Sequence, residues 1–289
     1  MSAGRAASFH ARLLNLAKSR GDDFNLILNL YALERWLYRL SISEAREHLW
    51  LKGAMLFNLW FDSPHRPTRD ADFLGFGEID ANALRDMVRK VSAIGTDDGM
   101  EFDPASVTVE EIREEARYGG LRVRVLGHLG KARCPLQLDV GYGDVVTPGA
   151  EEADYPTLLD DVPIPHLKVY PRATVVAEKL EAIASLGMAN SRMKDYYDLH
   201  ALALEGAIDA DLLGDAIAAT FGRRRTPLPD DLPVGLTAEF AGDVAKQTQW
   251  SAFLGKNRLA GLSLDEVVAR ISRFVRDPLD RARRGSAAR

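Results

Sequence analysis

A basic surplus is the first thing this sequence lacks. It carries 37 Lys and Arg against 42 Asp and Glu, for a formal net charge of −5 and a pI of about 5.8. A protein that coats nucleic acid without discrimination has the opposite balance, so any handling of nucleic acid must run through a local basic patch. Arg223, Arg224 and Arg225, the pair Arg122 and Arg124, and Lys131 with Arg133 are the candidates. Each is equally readable as a solvated charged face. A single cysteine, Cys134, excludes an internal disulfide and fits a reducing cytoplasm. No run approaches 18 apolar residues, and the N-terminus shows no charged stretch followed by an apolar segment. The expectation is a cytoplasmic protein without a membrane segment. The histidines are scattered, with no Cys or His partner at metal-ligand spacing, which argues against zinc. No Walker-type glycine loop is present.

What is there is an ordinary globular composition, 46% hydrophobic and 27% charged, in a chain of 289 residues, long enough to bury a sizeable core in two regions. The first forty residues read as helix: Leu26, Leu30, Leu33, Leu37 and Leu40 fall near helical spacing, with Asp22 or Asp23 as the cap. Leu49-Trp50-Leu51 is a short apolar run ending at Lys52-Gly53, followed by a short helix over 54–61. Pro64 and Pro67 mark a loop. Residues 70–76 read as a strand and 79–94 as a helix. Strands are expected at 106–112, 121–126, 136–141 and 166–169, with Tyr118-Gly119-Gly120 as a turn. Beyond Pro171 the pattern is helical over 173–186, 194–204, 210–221, 238–254 and 264–275, and the tail from Arg281 to Arg289 reads as frayed. The fold class is therefore α+β and bilobal. A mixed sheet with N-terminal helices fills 1–165, and a helical bundle over 166–289 completes a cleft.

Chemistry concentrates in carboxylates. Asp70 and Asp72 stand two apart in a strand, so both point to one face while Ala71 and Phe73 point to the other. Two adjacent carboxylates repel, and a divalent cation relieves that cost. Mg²⁺ suits them, with Mn²⁺ as an alternative, because it is commonly held by one or two carboxylates and a substrate phosphate. Asp139, in Leu136-Gln137-Leu138-Asp139-Val140, is a third candidate ligand if its strand lies beside the first. Lys52-Gly53-Ala54 upstream supplies a glycine that lets backbone approach a phosphate and a helix N-terminus that favours an anion. By itself, an Asp-x-Asp pair is as readily a turn cap as a metal site.

Taken in order, Lys52-Gly53-Ala54, Arg66-x-Thr68-x-Asp70-x-Asp72, Glu178-Lys179-Leu180 and Lys194-Asp195-Tyr196-Tyr197-Asp198-Leu199 resemble the AbiEii-type nucleotidyltransferase toxins, of the DNA polymerase β-like superfamily, the mycobacterial MenT toxins among them. The resemblance runs over about residues 48–205, and more weakly to about 255. It implies that Asp70 and Asp72 bind the metal, that Lys52, Gly53, Ala54, Arg66, Thr68, Lys179 and Lys194 serve the nucleotide, and that Asp195 or Asp198 completes the site. It further implies transfer of a nucleoside monophosphate from an NTP, onto the 3′ end of tRNA in the MenT group, and a cognate antitoxin. Ala54 departs from the Gly-Ser common in the superfamily and offers no hydroxyl to a phosphate.

Read physically, Lys179 is a helix lysine beside an apolar stripe, and Lys194 and Asp198, four apart, have the spacing of a surface ion pair. Asp195 and Asp198 share a face. Tyr196 and Tyr197 read as core, with base stacking as the alternative. Two other functions remain open: a nucleotidyltransferase that modifies a protein or small molecule, and a partner-binding module that kept the fold without catalysis.

Overall fold

The computed structural model describes residues 3–61, 65–77, 80–112, 119–206, 208–259 and 261–287. Pro64, Ile79 and Tyr118, assigned above to a loop, a helix start and a turn, lie outside the described residues, as do 288–289 of the tail. The chain forms two compact units, Met1–Gly143 with Glu151–Val169, and Asp144–Ala150 with Tyr170–Arg289. Among the described residues no helix is long and apolar enough to cross a membrane.

The first unit opens with α1 (Ala3–Arg20) and α2 (Phe24–Ser41). Of the two candidate caps, Asp23 is the one that accepts the Leu26 amide, satisfying an orphan donor of the first turn. Helix α2 is buried on nearly every side, Tyr31, Leu33, Trp36 and Leu37 being almost wholly covered. It also buries cations. Arg39 makes a two-pronged pair with Asp98 at 2.7 and 3.1 Å and donates to the Met100 carbonyl, so its charge and donors are satisfied inside the core.

The sheet consists of β1 (Leu49–Lys52), β2 (Asp70–Gly75), β3 (Met100–Ile112), β4 (Gly120–Leu129), β5 (Ala132–Tyr142), β6 (Glu151–Asp154) and β7 (His166–Val169). Their order is β3-β4-β5-β2-β1-β7-β6, with parallel pairs at β2–β5 and β1–β7. The sheet is thus mixed, and together with the helices it makes the architecture α+β. Between β1 and β2 lie a 3-10 turn (Gly53–Leu56) and α3 (Phe57–Trp60). Helix α4 (Ala81–Ser92), capped by Asp80, turns Leu84, Val88 and Val91 inward at helical spacing. On the buried face of β2, Phe73 meets Trp36 of α2 edge-to-face at 5.9 Å, which anchors the strand and leaves Asp70 and Asp72 on the opposite face. Strand β3 is longer than the expected 106–112. It runs through Pro104, which the sheet tolerates at the register shift between Asp103 and Thr108. Strand β6 was not anticipated: Glu151-Glu152-Ala153-Asp154 is mostly acidic and exposed, an edge strand with no apolar alternation to announce it.

The second unit comprises α5 (Arg172–Leu186), α6 (Met193–Glu205), α7 (Ala210–Arg224), α8 (Ala238–Gly242), α9 (Val244–Asn257) and α10 (Leu264–Ala287). The single helix expected over 238–254 is two, because Asp243 breaks the run in extended conformation and its carboxylate caps α9 through the Lys246 amide. As far as it is described, to Ala287, the tail is helix rather than frayed. Helix α10 continues through Pro278 to Ala287, since Leu279 and Ala282 extend the buried stripe of Val267, Ile271 and Val275. Arg283 adds a bond to the Pro229 carbonyl.

Candidate active site

Four neighbouring strands set a row of charges across one face of the sheet. Lys52 on β1 pairs in register with Asp72 on β2, Asp72 with Asp139 on β5, and Asp139 with Arg122 on β4. The sequence of charge is positive, negative, negative, positive. Asp70 stands on the same face one pleat away, in register with Gln137. Its carboxylate Oδ1 accepts the Thr68 hydroxyl at 2.7 Å, so the threonine of the expected motif orients one acid of the pair. Arg66 lies half-buried in the coil before β2.

Gly53 has a specific reason to be glycine. Its φ is +75°, and a Cβ built there would fall 2.0 Å from Asp72 Oδ2. The backbone of the Lys52-Gly53-Ala54 corner is thus pressed against the carboxylate, and any side chain would displace it. Ala54 follows in the 3-10 turn. The Lys52 ammonium reaches toward Gly141 of β5, lying 4.0 Å from where a Cβ at that position would stand.

Asp139 is brought beside Asp72 as expected of adjacent strands, and both its oxygens are engaged. Arg122 grips it through Nε at 2.8 Å and Nη2 at 2.7 Å, and Gln137 adds a bond at 3.2 Å. The Asp139 bond, the largest influence on it, holds the Arg122 guanidinium above its ordinary pKa. Among the described residues no group of three or more His, Cys, Asp or Glu is arranged to hold a metal ion. The pair Asp70 and Asp72, both half-exposed, is the hard-oxygen donor set on this face, and it fits a Mg²⁺ that completes its shell with waters and phosphate oxygens.

The helical unit assembles a second cluster. Lys179 on α5 donates to Asp195 at 2.7 Å and to Asp198 at 2.8 Å, both on α6 and both fully buried. Arg192 holds the other Asp195 oxygen at 2.6 Å. Burial pushes the Asp195 carboxyl up, but Lys179 and Arg192 outweigh it and hold it below the usual carboxylate range. Lys179 is therefore no simple exposed helix lysine. The surface pairing suggested for Lys194 and Asp198 is not what holds the acid: Lys194 is exposed, while Asp198 lies in the interior on Lys179. Tyr196 is core, stacked on Phe240 at 5.1 Å with its hydroxyl on the Gly235 carbonyl.

Sequence reasoning missed the surroundings of Arg224. Offered above as part of a basic patch, it is largely buried and held by Asp144 at 3.1 Å, Glu178 at 3.5 Å and Glu181 at 2.8 Å. Burial opposes its charge, and these carboxylates restore it, leaving its pKa raised. Its charge is spent on these three carboxylates. The Arg122–Asp139 pair was also missed, although a signal existed. The two-residue turn Gly130-Lys131, with φ of +59° at the glycine, sets the β4–β5 register and so pairs 122 with 139.

A model of the family described as nucleotidyl transferase AbiEii toxin, type IV toxin–antitoxin system, matches residues 35–270. The chain belongs to the AbiEii nucleotidyltransferase toxin family. The matched stretch includes every residue of both clusters. Among solved structures, JHP933 from Helicobacter pylori shares 16% identity at a TM-score of 0.51, covering 91% of this chain and 95% of its own. A second H. pylori chain, provisionally assigned as a nucleotidyltransferase, also shares 16% identity, at a TM-score of 0.49, covering 91% of this chain and 97% of its own. At such identity the likeness to JHP933 speaks to the fold. No curated protein matches the chain significantly. Family membership carries with it an antitoxin partner and transferase chemistry on a nucleotide.

Proposed function

We propose that this AbiEii-family chain transfers a nucleoside monophosphate from an NTP to the 3′-terminal hydroxyl of tRNA and so blocks translation in the cytoplasm. The observation that carries the reading is the carboxylate pair Asp70 and Asp72, held side by side on one face of β2 with the Gly53 backbone closed against Asp72. In the reaction the acceptor hydroxyl oxygen attacks the α-phosphorus. The bond from that phosphorus to the bridging oxygen breaks, pyrophosphate leaves, and the hydroxyl proton passes to a carboxylate. Asp70 and Asp72 would hold Mg²⁺, or Mn²⁺ in its place, which when bound supplies Lewis-acid stabilisation of phosphoryl oxygens. Thr68 keeps Asp70 oriented. Lys52 places a cation beside Asp72, suited to an anionic substrate. Lys179, fixed by Asp195 and Asp198, is assigned to the nucleotide phosphates. Asp139, committed to Arg122, is assigned to ordering the row rather than to the metal.

The test is a labelling assay with Mg²⁺, total RNA and each α-labelled NTP, with Asp72→Ala run in parallel. Label in a tRNA-sized band, lost in the variant, is the expected outcome and names the nucleotide. Label in a protein band would replace tRNA by a protein acceptor. No label from folded protein would overturn transferase function in favour of a binding module.

A further inference from the structure

Helix α6 has a second face besides the one that carries Asp195 and Asp198. At 100° per residue, His200 and Leu204 point opposite to Asp195 and Asp198. They line an open cavity of about 510 Å³ within the helical unit, bordered on the other side by Leu262 and by Glu266, Arg270 and Arg273 of α10. His200 is only 7% exposed, and its Nδ1 is buried without a hydrogen-bond partner. An orphaned buried ring nitrogen is destabilising unless something bonds to it. His200 borders the cavity.

The charges around it have unequal duties. Glu266 is occupied locally: it accepts from the Ser263 hydroxyl at 2.8 Å and receives cap bonds at the head of α10, as a capping box does. Arg273 donates only to the Ala269 carbonyl at 3.3 Å, and Arg270 makes no ion pair or hydrogen bond among the described residues. Other arginines of this helix are differently placed: Arg281 is paired to Asp211 and Arg283 to Asp280. Two guanidiniums and one carboxylate leave a single positive charge, which matches one phosphodiester. The leucines Leu204 and Leu262 offer walls to a sugar or base. A chain with an overall charge of −5 needs such a confined patch to hold RNA at all.

We propose that the α6–α10 cavity is a phosphate-binding exosite, in which Arg270, Arg273 and His200 grip a backbone phosphate of the RNA acceptor. The proposal rests on the RNA-acceptor reading above and is separate from the Lys179 cluster, since it uses the other face of α6.

The experiment has two arms on the full chain. The first is anisotropy of fluorescein-labelled tRNA across a salt series, for the native protein and for Arg270→Gln/Arg273→Gln. The expected result is a loss of affinity of about tenfold or more, with the slope of log affinity against log salt shallower by about one to two, as removal of one or two phosphate contacts requires. In the transfer assay the same variant should raise KM for RNA while leaving KM for NTP unchanged. The second arm follows the His200 imidazole by NMR during titration with tRNA, AMP or inorganic phosphate. His200 signals that respond to tRNA support the exosite. A response to AMP or phosphate alone, with tRNA affinity unchanged in the variant, would make the site one for a small phosphate and overturn the RNA assignment. Unchanged RNA binding and silent His200 signals overturn it entirely. If native protein binds no tRNA, the acceptor reading fails instead, and the first arm reveals that without reference to the variant. Circular dichroism melting of the variant guards against misfolding, and Arg270→Lys/Arg273→Lys should restore part of the affinity.

Discussion

At the residue scale, two positions report on the carboxylate face. Gly53 combines a φ of +75° with a Cβ position 2.0 Å from Asp72 Oδ2. Gly53→Ala is therefore expected to cost more than about 1 kcal/mol in urea unfolding, because alanine strains the left-handed backbone and displaces the acid. It should depress transfer far more than stability, since it moves a proposed metal ligand. A variant with native transfer rates would show that Asp72 does not need this close approach. The second position is Asp139. With both oxygens on Arg122, it is a cross-strand partner rather than an open ligand. Asp139→Asn should lower transfer only a few-fold, whereas Asp72→Asn should remove it to background. Equal loss in both would return Asp139 to the metal.

At the element scale, the helical unit depends on how closely α7 crosses α10. Gly214 on α7 would place a Cβ 3.0 Å from that of Arg281 and 3.2 Å from the Pro278 carbonyl, so it is the small residue that lets the two backbones approach. The carbonyl is backbone and cannot swing aside. Gly214→Val should cost about 1–3 kcal/mol by overpacking, read as a lower urea midpoint with near-normal helix content. A neutral outcome would mean α10 is free to shift on α7. The same crossing explains why α10 runs through Pro278: Val275, Leu279 and Ala282 bury enough apolar surface to carry the helix past a residue that cannot donate its amide.

At the scale of the whole molecule, stability against pH should reflect opposing groups in the two units. Burial, partly offset by Arg35, raises Glu34 on α2 to about 7. Between the ordinary glutamate range and about pH 7 the folded chain thus holds more protons than the unfolded one, so this group makes stability fall as pH rises. Asp195 acts the other way. Its lowered pKa gives stability that is present above the unfolded carboxylate range and lost as pH falls through its folded value. Glu34→Gln keeps an acceptor for the Leu158 amide and removes the titration. Its stability relative to the native chain should improve between pH 5 and pH 8 by as much as about 3 kcal/mol, the order expected for a shift of this size. A difference that is flat with pH would show that Glu34 does not titrate in that window.

Local physics made much of this protein legible in sequence. The period of two placed Asp70 and Asp72 on one face of β2, and the period of 3.6 placed Asp195 with Asp198 on α6, because side-chain direction within one element depends only on its own repeat. The mixed sheet, the helical second half and the family motifs follow from patterns spanning a few residues. The splitting of α8 from α9 turned on a local cap at Asp243 that the apolar pattern did not announce, while the continuation of α10 and the acidic edge strand β6 were decided by packing and pairing partners elsewhere in the chain. So was the row from Lys52 through Asp72 and Asp139 to Arg122, which exists because parallel pairing sets β2 against β5 across more than sixty residues of chain. The sequence alone determined which carboxylates share a face; tertiary structure decided which partner Asp139 meets across the strands, because a charge-pair partner is chosen by proximity in space and not by position in the chain.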